Sequence, residues 1–312
     1  MPSSPLRPFA RLVLTAVLVA SSLFAPALNA ADAPATHAEE VAAWHRGRLE
    51  RLQSEDGWLS LVGLFWLKEG DNTVGSGAGN DLVFPESSPE RIGILRLQGG
   101  KVEVIPAAGV TLTVGGEALP AGQPRQLTTD ANGKAEPTTV ALGSVRFFPI
   151  ARQDRIGVRV KDSQAPTRLE FHGIETFPVS PDFRVEARFV PYDPPRSLTV
   201  PNILGTPTQE TCPGALEFTH AGKTHRLDVL AEGEELFVIF GDTTNGKATY
   251  GGGRFLYTAA PDASGRVILD FNKAYNPPCV FTPYATCPLP PPQNRLAIAV
   301  EAGEKMYGPA HE

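Results

Sequence analysis

A chain of 312 residues, 42% of them hydrophobic, exceeds one typical domain and carries enough apolar material for packed cores, which makes two domains the starting expectation. Its formal charge of -6, from 28 Lys+Arg against 34 Asp+Glu, excludes the basic face that tracks a phosphate backbone, so no nucleic-acid partner is expected.

At the N-terminus Arg7 and Arg11 precede the apolar run LVLTAVLVASSLFAPALNA, and Ala25, Ala27 and Ala30 supply small residues for cleavage. Residues 1–30 therefore read as a signal peptide and the protein as periplasmic or secreted. Leu12 to Leu28, interrupted by Pro26, falls short of the ~20 apolar residues a span requires, so no integral membrane span is expected after signal removal. Removal deletes two arginines and no acid, moving the formal charge to -8. In an oxidising compartment Cys279 and Cys287 are a disulfide candidate and Cys212 is left odd, although sequence alone does not decide the pairing.

Thr36 and Glu39 form a capping-box pattern, and Val41, Trp44, Leu49 and Leu52 follow at helical spacing, which predicts an amphipathic helix over 36–55. His45 on it has no companion ligand and reads as an exposed or packing residue. From Leu59 the period shortens to runs such as ILRL, KVEVI, VTLTV, VRFFPI and IGVRV, separated by GDN, GAGND, VGGE and DANG turns. These predict a β-sandwich over 57–165. A second series, from FRVEARFV through ELFVIF and RVILDF to RLAIAV, predicts a second antiparallel β-sandwich or barrel-like domain over 175–308, with the boundary near 162–180. Between its first strands, VPYDPPRSLTVPNILGTPTQETCPG is too proline-rich for a central strand and reads as an irregular or edge segment. The fold class is mainly β.

The stretch from NTVGSGAGNDLVFPESSPERIGILRL to TTVALGSVRFFPI resembles a forkhead-associated (FHA-like) β-sandwich. That family binds phosphothreonine through a turn arginine, a serine and an asparagine. Here the turn reads Gly75-Ser76, Gly115 stands at the asparagine position, Ser88 aligns with the serine, and Arg91 replaces a histidine. Without the charge-assisted bonds of the missing arginine, the resemblance implies the fold and not phosphopeptide binding.

The blocks DGWLSLVGLFWLKEGDNTVGS, TYGGGRFL, DFNKAYNPPC, CPLPPPQNRL and EAGEK resemble the bacterial and archaeal proteins of domain-of-unknown-function family 1684, over nearly the whole mature chain. The resemblance implies no activity. G-x-S-x-G, H-E-x-x-H, Walker and C-x-x-C motifs are absent from the sequence, and VGSGAGN has no G-x-G-x-x-G spacing, so no cofactor is expected. His220 and His225 flank a turn, but two imidazoles alone make no metal site, and metal is expected to be none.

Three constellations remain. The glycines before Arg254 either admit a ligand or another backbone, or form a bulge, and Arg254 suits an anion. Asp270, Asn272 and Asn276 share one side of the chain if it stays extended; otherwise they cap turns. The loop 276–294, NPPCVFTPYATCPLPPPQN, carries seven prolines and reads as a preorganised wall.

The candidate catalytic residues are Asp270 or Glu301 as general base and Arg254 as anion clamp. Tyr250, Asn272, Asn276, Tyr284, Asn294 and Glu304 are candidate ligand-binding residues. The leading expectation is an exported protein binding a small polar or anionic ligand in a pocket of the C-terminal β domain. A hydrolase-type enzyme using the same pocket is the alternative, and a periplasmic interaction scaffold, its protein partner unknown, is the third reading.

Overall fold

In the computed structural model, which describes residues 35–131, 133 and 135–308, the capping box closes as the sequence predicts. The Thr36 hydroxyl accepts from the Glu39 amide at 3.3 Å, and the Glu39 carboxylate accepts from the Thr36 amide at 2.7 Å. Helix α1 then runs His37–Gln53 and buries Val41, Arg48 and Leu52. The expected signal peptide, residues 1–30, lies outside the described residues. No helix among the described residues is long and apolar enough to cross a membrane.

The strands β1 (Leu61–Trp66), β2 (Gly70–Gly75), β3 (Leu82–Val83), β4 (Gly93–Gln98), β5 (Lys101–Pro106) and β6 (Leu112–Val114) begin the first β region. It continues with β7 (Glu117–Leu119), β8 (Arg125–Leu127), β9 (Val140–Leu142), β10 (Val145–Arg152) and β11 (Arg155–Asp162). They form a six-stranded sheet, β1-β11-β10-β9-β6-β7, and a five-stranded sheet, β3-β2-β4-β5-β8. The two share one core: Val74, Leu95, Val102 and Val104 of the smaller sheet pack with Leu112, Phe147, Val158 and Val160 of the larger. This is the predicted sandwich. Because side chains alternate across a strand, the residues between Val158 and Val160, and either side of Phe147, point away from that core.

A short helix α2 (Pro166–Leu169) leads to the second region. Here β12 (Arg184–Val200), β13 (Thr208–His220), β14 (Lys223–Glu232), β15 (Glu235–Phe240), β16 (Arg254–Ala259) and β17 (Arg266–Asp270) make one antiparallel sheet in the order β16-β15-β14-β13-β12-β17. The sheet curls until its edges nearly meet, with the Thr258 hydroxyl of β16 donating to the Ile268 carbonyl of β17 at 2.8 Å. Leu216, Leu227, Val238, Phe240, Leu256 and Leu269 fill its interior.

The proline-rich stretch read as an irregular or edge segment is largely strand, with its prolines on an edge-like part, which corrects the irregular reading for a local cause. β12 pairs β17 only through Arg184–Arg188, so Pro191, Pro194 and Pro195 fall where it has one neighbour, at a register shift between Pro191 and Arg196. Proline lacks the donor a central ladder needs and is tolerated at an edge or bulge. All these elements belong to one compact unit.

Candidate functional site

Arg254 is fully buried. Its Nη2 donates to Asp242 Oδ2 at 2.8 Å and to the Val300 carbonyl at 2.7 Å, and Nη1 donates to the Ala302 carbonyl. The preceding glycines admit backbone rather than ligand: at Gly253, φ +88°, a Cβ would lie 2.6 Å from the Phe240 carbonyl oxygen and 2.4 Å from Pro290 Cγ.

Asp270 ends β17, and its Oδ1 accepts from the Asn272 amide at 3.1 Å, capping a 3-10 turn over Phe271–Lys273. The chain therefore does not stay extended, and Asp270, Asn272 and Asn276 do not share a face. The Asp270 Oδ2 lies 2.8 Å from His37 Nε2 at the start of α1. Asn272 fastens both polar groups of the Ser180 backbone at 2.9 Å.

Asp270 lines a cleft of about 610 Å³ with Trp44, Arg184, Glu186, Arg266 and Lys273; neither Arg254 nor Glu301 forms part of it. Most of its charges pair locally: Asp270 with His37, Arg184 with Glu40, Glu186 and Asp262 with Arg266. Glu301 is exposed. Asp270, Arg254 and Glu301 thus occupy three different environments.

The loop 276–294 is held at both ends by the asparagines singled out in it. Asn294 accepts from the Asp228 amide at 2.8 Å and donates to the Asp228 and Ile239 carbonyls at 2.8 and 2.9 Å. The Asn276 amide donates to Glu304 Oε2 at 2.7 Å, and its Nδ2 to the Lys305 carbonyl at 2.7 Å. Glu304 is buried against Arg48 Nε at 3.3 Å, and burial raises its carboxyl above the ordinary range. Tyr284 is half-buried on the same loop.

Cys212, Cys279 and Cys287 are free thiols, so the Cys279–Cys287 disulfide candidate is not formed. Instead the Cys279 amide donates to the Cys287 sulfur at 3.1 Å. The hydrogen bond from Cys287 holds the Cys279 thiol below its ordinary range, and the same bond with burial pushes Cys287 up. Tyr250 packs beside Cys279, and burial with that contact raises its phenol.

The loop's inner side covers the outer face of the barrel-like sheet. Leu236, Val238 and Phe240 point into the barrel, while alternation sends Phe237 and Ile239 outward beneath Ala285 and Cys287, with Phe255 of β16. Between this face, α1 and the outer face of the sandwich lies a second cleft of about 460 Å³. The barrel contributes Phe237, Phe255, Tyr257 and Glu232, the loop Thr286 and Cys287. The sandwich side contributes Trp58, Arg152 and Arg159, and α1 contributes Arg48.

Arg48 is matched by Glu304, and Arg152 Nη1 meets Asp130 Oδ2 at 2.7 Å. Among the described residues, Arg159 has no carboxylate within ion-pair distance and its buried Nε has no hydrogen-bond partner. It stacks over Trp58 at 5.3 Å, and burial followed by the Arg152 charge lowers its pKa to about 10, still charged at neutral pH. The Thr286 hydroxyl accepts from Arg159 Nη2 at 3.1 Å and Arg152 Nε at 3.4 Å, which leaves its own proton to donate.

None of these cleft residues except Cys287 stood out in the sequence. In RIGVRVKD and VRFFPIAR an arginine alternating with apolar residues is the pattern of a strand whose second face meets water. The only available signal was the density of aromatic residues in ELFVIF and RFLY, at alternate positions in the second.

In the sandwich, the Ser76 hydroxyl donates to the Ser88 carbonyl at 2.8 Å and Arg91 donates to Asn80 Oδ1 at 2.8 Å. These two residues of the turn region fasten neighbouring loops.

A family model described as "Protein of unknown function (DUF1684)" matches residues 169–305. A search of the curated proteins returns no match. Among solved structures, the uncharacterized protein from gene locus rrnAC0354 of Haloarcula marismortui is 33% identical, with 44% of this chain and 78% of that one covered and a TM-score of 0.38. The FhaA FHA domain, solved in complex with the intracellular domain of Rv3910, is 19% identical over 31% of this chain and 97% of that one, with a TM-score of 0.21. TM-scores this low carry no argument about the fold.

Proposed function

Because the chain belongs, through residues 169–305, to the DUF1684 family of proteins of unknown function, its site carries the functional reading, and we propose that it binds a small anionic ligand between the sandwich and the barrel-like sheet. One observation carries this reading: Arg159 is a buried cation with no carboxylate among the described residues and with an unpartnered donor, on the wall of a cleft. A buried charge without a counter-ion is costly, and an anion in the cleft offsets that cost. The guanidinium supplies directed, charge-assisted bonds. Thr286 adds a neutral donor, and Trp58 holds the guanidinium plane. The volume falls within the ~300–1,000 Å³ typical of small-molecule sites, and the aromatic wall fits an apolar portion of the ligand.

Titration calorimetry with 3-phenylpropanoate and with inorganic phosphate tests the reading. At least one is expected to bind, and Arg159→Gln to weaken it roughly 10- to 100-fold, from the ~1.5–3 kcal/mol of a hydrogen bond to a charged group. The variant is expected to retain its melting temperature, since no ion pair is broken. Failure of both probes to bind, or equal binding by the variant, would overturn the proposal.

A further inference from the structure

The charges around the cleft do not stop at Arg159. Two of its three arginines are neutralised from behind, Arg48 by Glu304 and Arg152 by Asp130. Among the described residues, two opposite charges are left over, on different elements. Arg159 stands on β11 of the sandwich, and Glu232 stands at the end of β14 on the barrel side.

Glu232 has no cationic partner within ion-pair distance among the described residues. One bond orients it, from the Tyr257 hydroxyl at 2.7 Å. Burial raises the Tyr257 phenol, so at neutral pH this group stays a donor and Glu232 the acceptor. Arg159 and Glu232 do not pair with each other, and the cleft is the space that both border.

Aromatic faces line the Glu232 side of that space. Phe237 and Tyr257 stack with centroids 4.7 Å apart and planes inclined by 21°, and Tyr257 and Tyr275 lie nearly parallel at 6.4 Å. The negative faces of such rings attract a cation, and a neighbouring carboxylate adds to that attraction. An anion alone would leave Glu232 repelling it across the cleft. A ligand with both charges satisfies each wall.

Resting on the anion-binding reading, we propose that the cleft accepts a zwitterion, with its anionic group on Arg159 and Thr286 and its cationic group beside Glu232 and the Tyr257 ring. The relevant chemical class is an amino-acid-like or betaine-like molecule with a modest apolar body. Glu232 is then the residue that sets specificity for the second charge.

Three matched probes separate the two readings on the full chain by titration calorimetry: phenylalanine, 3-phenylpropanoate, which lacks the ammonium, and phenethylamine, which lacks the carboxylate. Phenylalanine is expected to bind about tenfold or more tighter than 3-phenylpropanoate, with phenethylamine weakest. Glu232→Gln, a near-isosteric change at an exposed residue, is expected to abolish that preference and to leave 3-phenylpropanoate binding no weaker. Tyr257→Phe is expected to reduce the preference in part. Arg159→Gln should weaken both carboxylate-bearing probes together.

Equal affinity for phenylalanine and 3-phenylpropanoate, or a preference unmoved by Glu232→Gln, would overturn the zwitterion inference and leave the anion site standing. If neither carboxylate-bearing probe binds, the zwitterion inference falls; if inorganic phosphate fails to bind as well, the anion reading on which it rests falls with it.

Discussion

Arg254 and Arg159 are both buried arginines, and their partners give them opposite roles. The Arg254 guanidinium faces Asp242 and two carbonyls of the C-terminal segment, so it ties β16 to residues 300–302. Asp242 in turn accepts from the Thr244 amide and hydroxyl and from the Val300 amide, and its side chain is wholly buried. Removing one member of such a pair leaves the other charged without compensation. Arg254→Met is therefore expected to cost about 3–5 kcal/mol in urea unfolding. Arg159→Gln, which strands no carboxylate, should leave the unfolding midpoint nearly unchanged. The sequence marked Arg254 because glycines precede it, and those glycines serve a close backbone approach at Gly253. It passed over Arg159 because a strand arginine between valines carries no local sign that its face will be covered.

At the scale of elements, α1 acts as a strap over the C-terminal region. Arg48 reaches from it to Glu304, donates to the Asn276 carbonyl at 2.9 Å, and lies 4.6 Å over the Tyr275 ring. Burial raises the Glu304 carboxyl above its ordinary value of 4.5, while the Arg48 charge opposes that rise. The sign follows from proton linkage: between 4.5 and the raised native value, the folded state holds a proton that the unfolded state has lost. Stability from this group therefore falls as pH rises through that window. Arg48→Met removes the opposing charge and widens the window upward. Its destabilisation is expected to be larger at about pH 7 than at about pH 4, as urea titrations at the two values would show. A penalty independent of pH would mean that Arg48 acts through packing alone. The helix and its cap were legible in the sequence because they rest on neighbours three and four residues apart. The strap was not, because Arg48 finds its partner 256 residues away.

At the scale of the whole molecule, the proposed site exists only as an assembly of α1, the sandwich, the barrel-like sheet and the loop 276–294. A ligand held between them should stabilise the native state as a unit, by about 2.7 kcal/mol when its concentration is 100 times Kd. Differential scanning calorimetry is expected to show an upward shift of the melting temperature with 3-phenylpropanoate or phosphate, whichever binds, and a clearly smaller shift in Arg159→Gln at the same concentration. The sequence by itself determined the local features: the capped helix, the alternating strands, the mainly β class, and a loop stiffened by proline. Each depends on short-range periodicity or on side chains bonding to nearby backbone. Only the tertiary structure decided which outer strand faces meet each other. Alternation shows that Arg159, Phe237 and Tyr257 lie opposite core residues, but whether that second face meets solvent, a loop or another sheet depends on contacts between residues far apart in the chain.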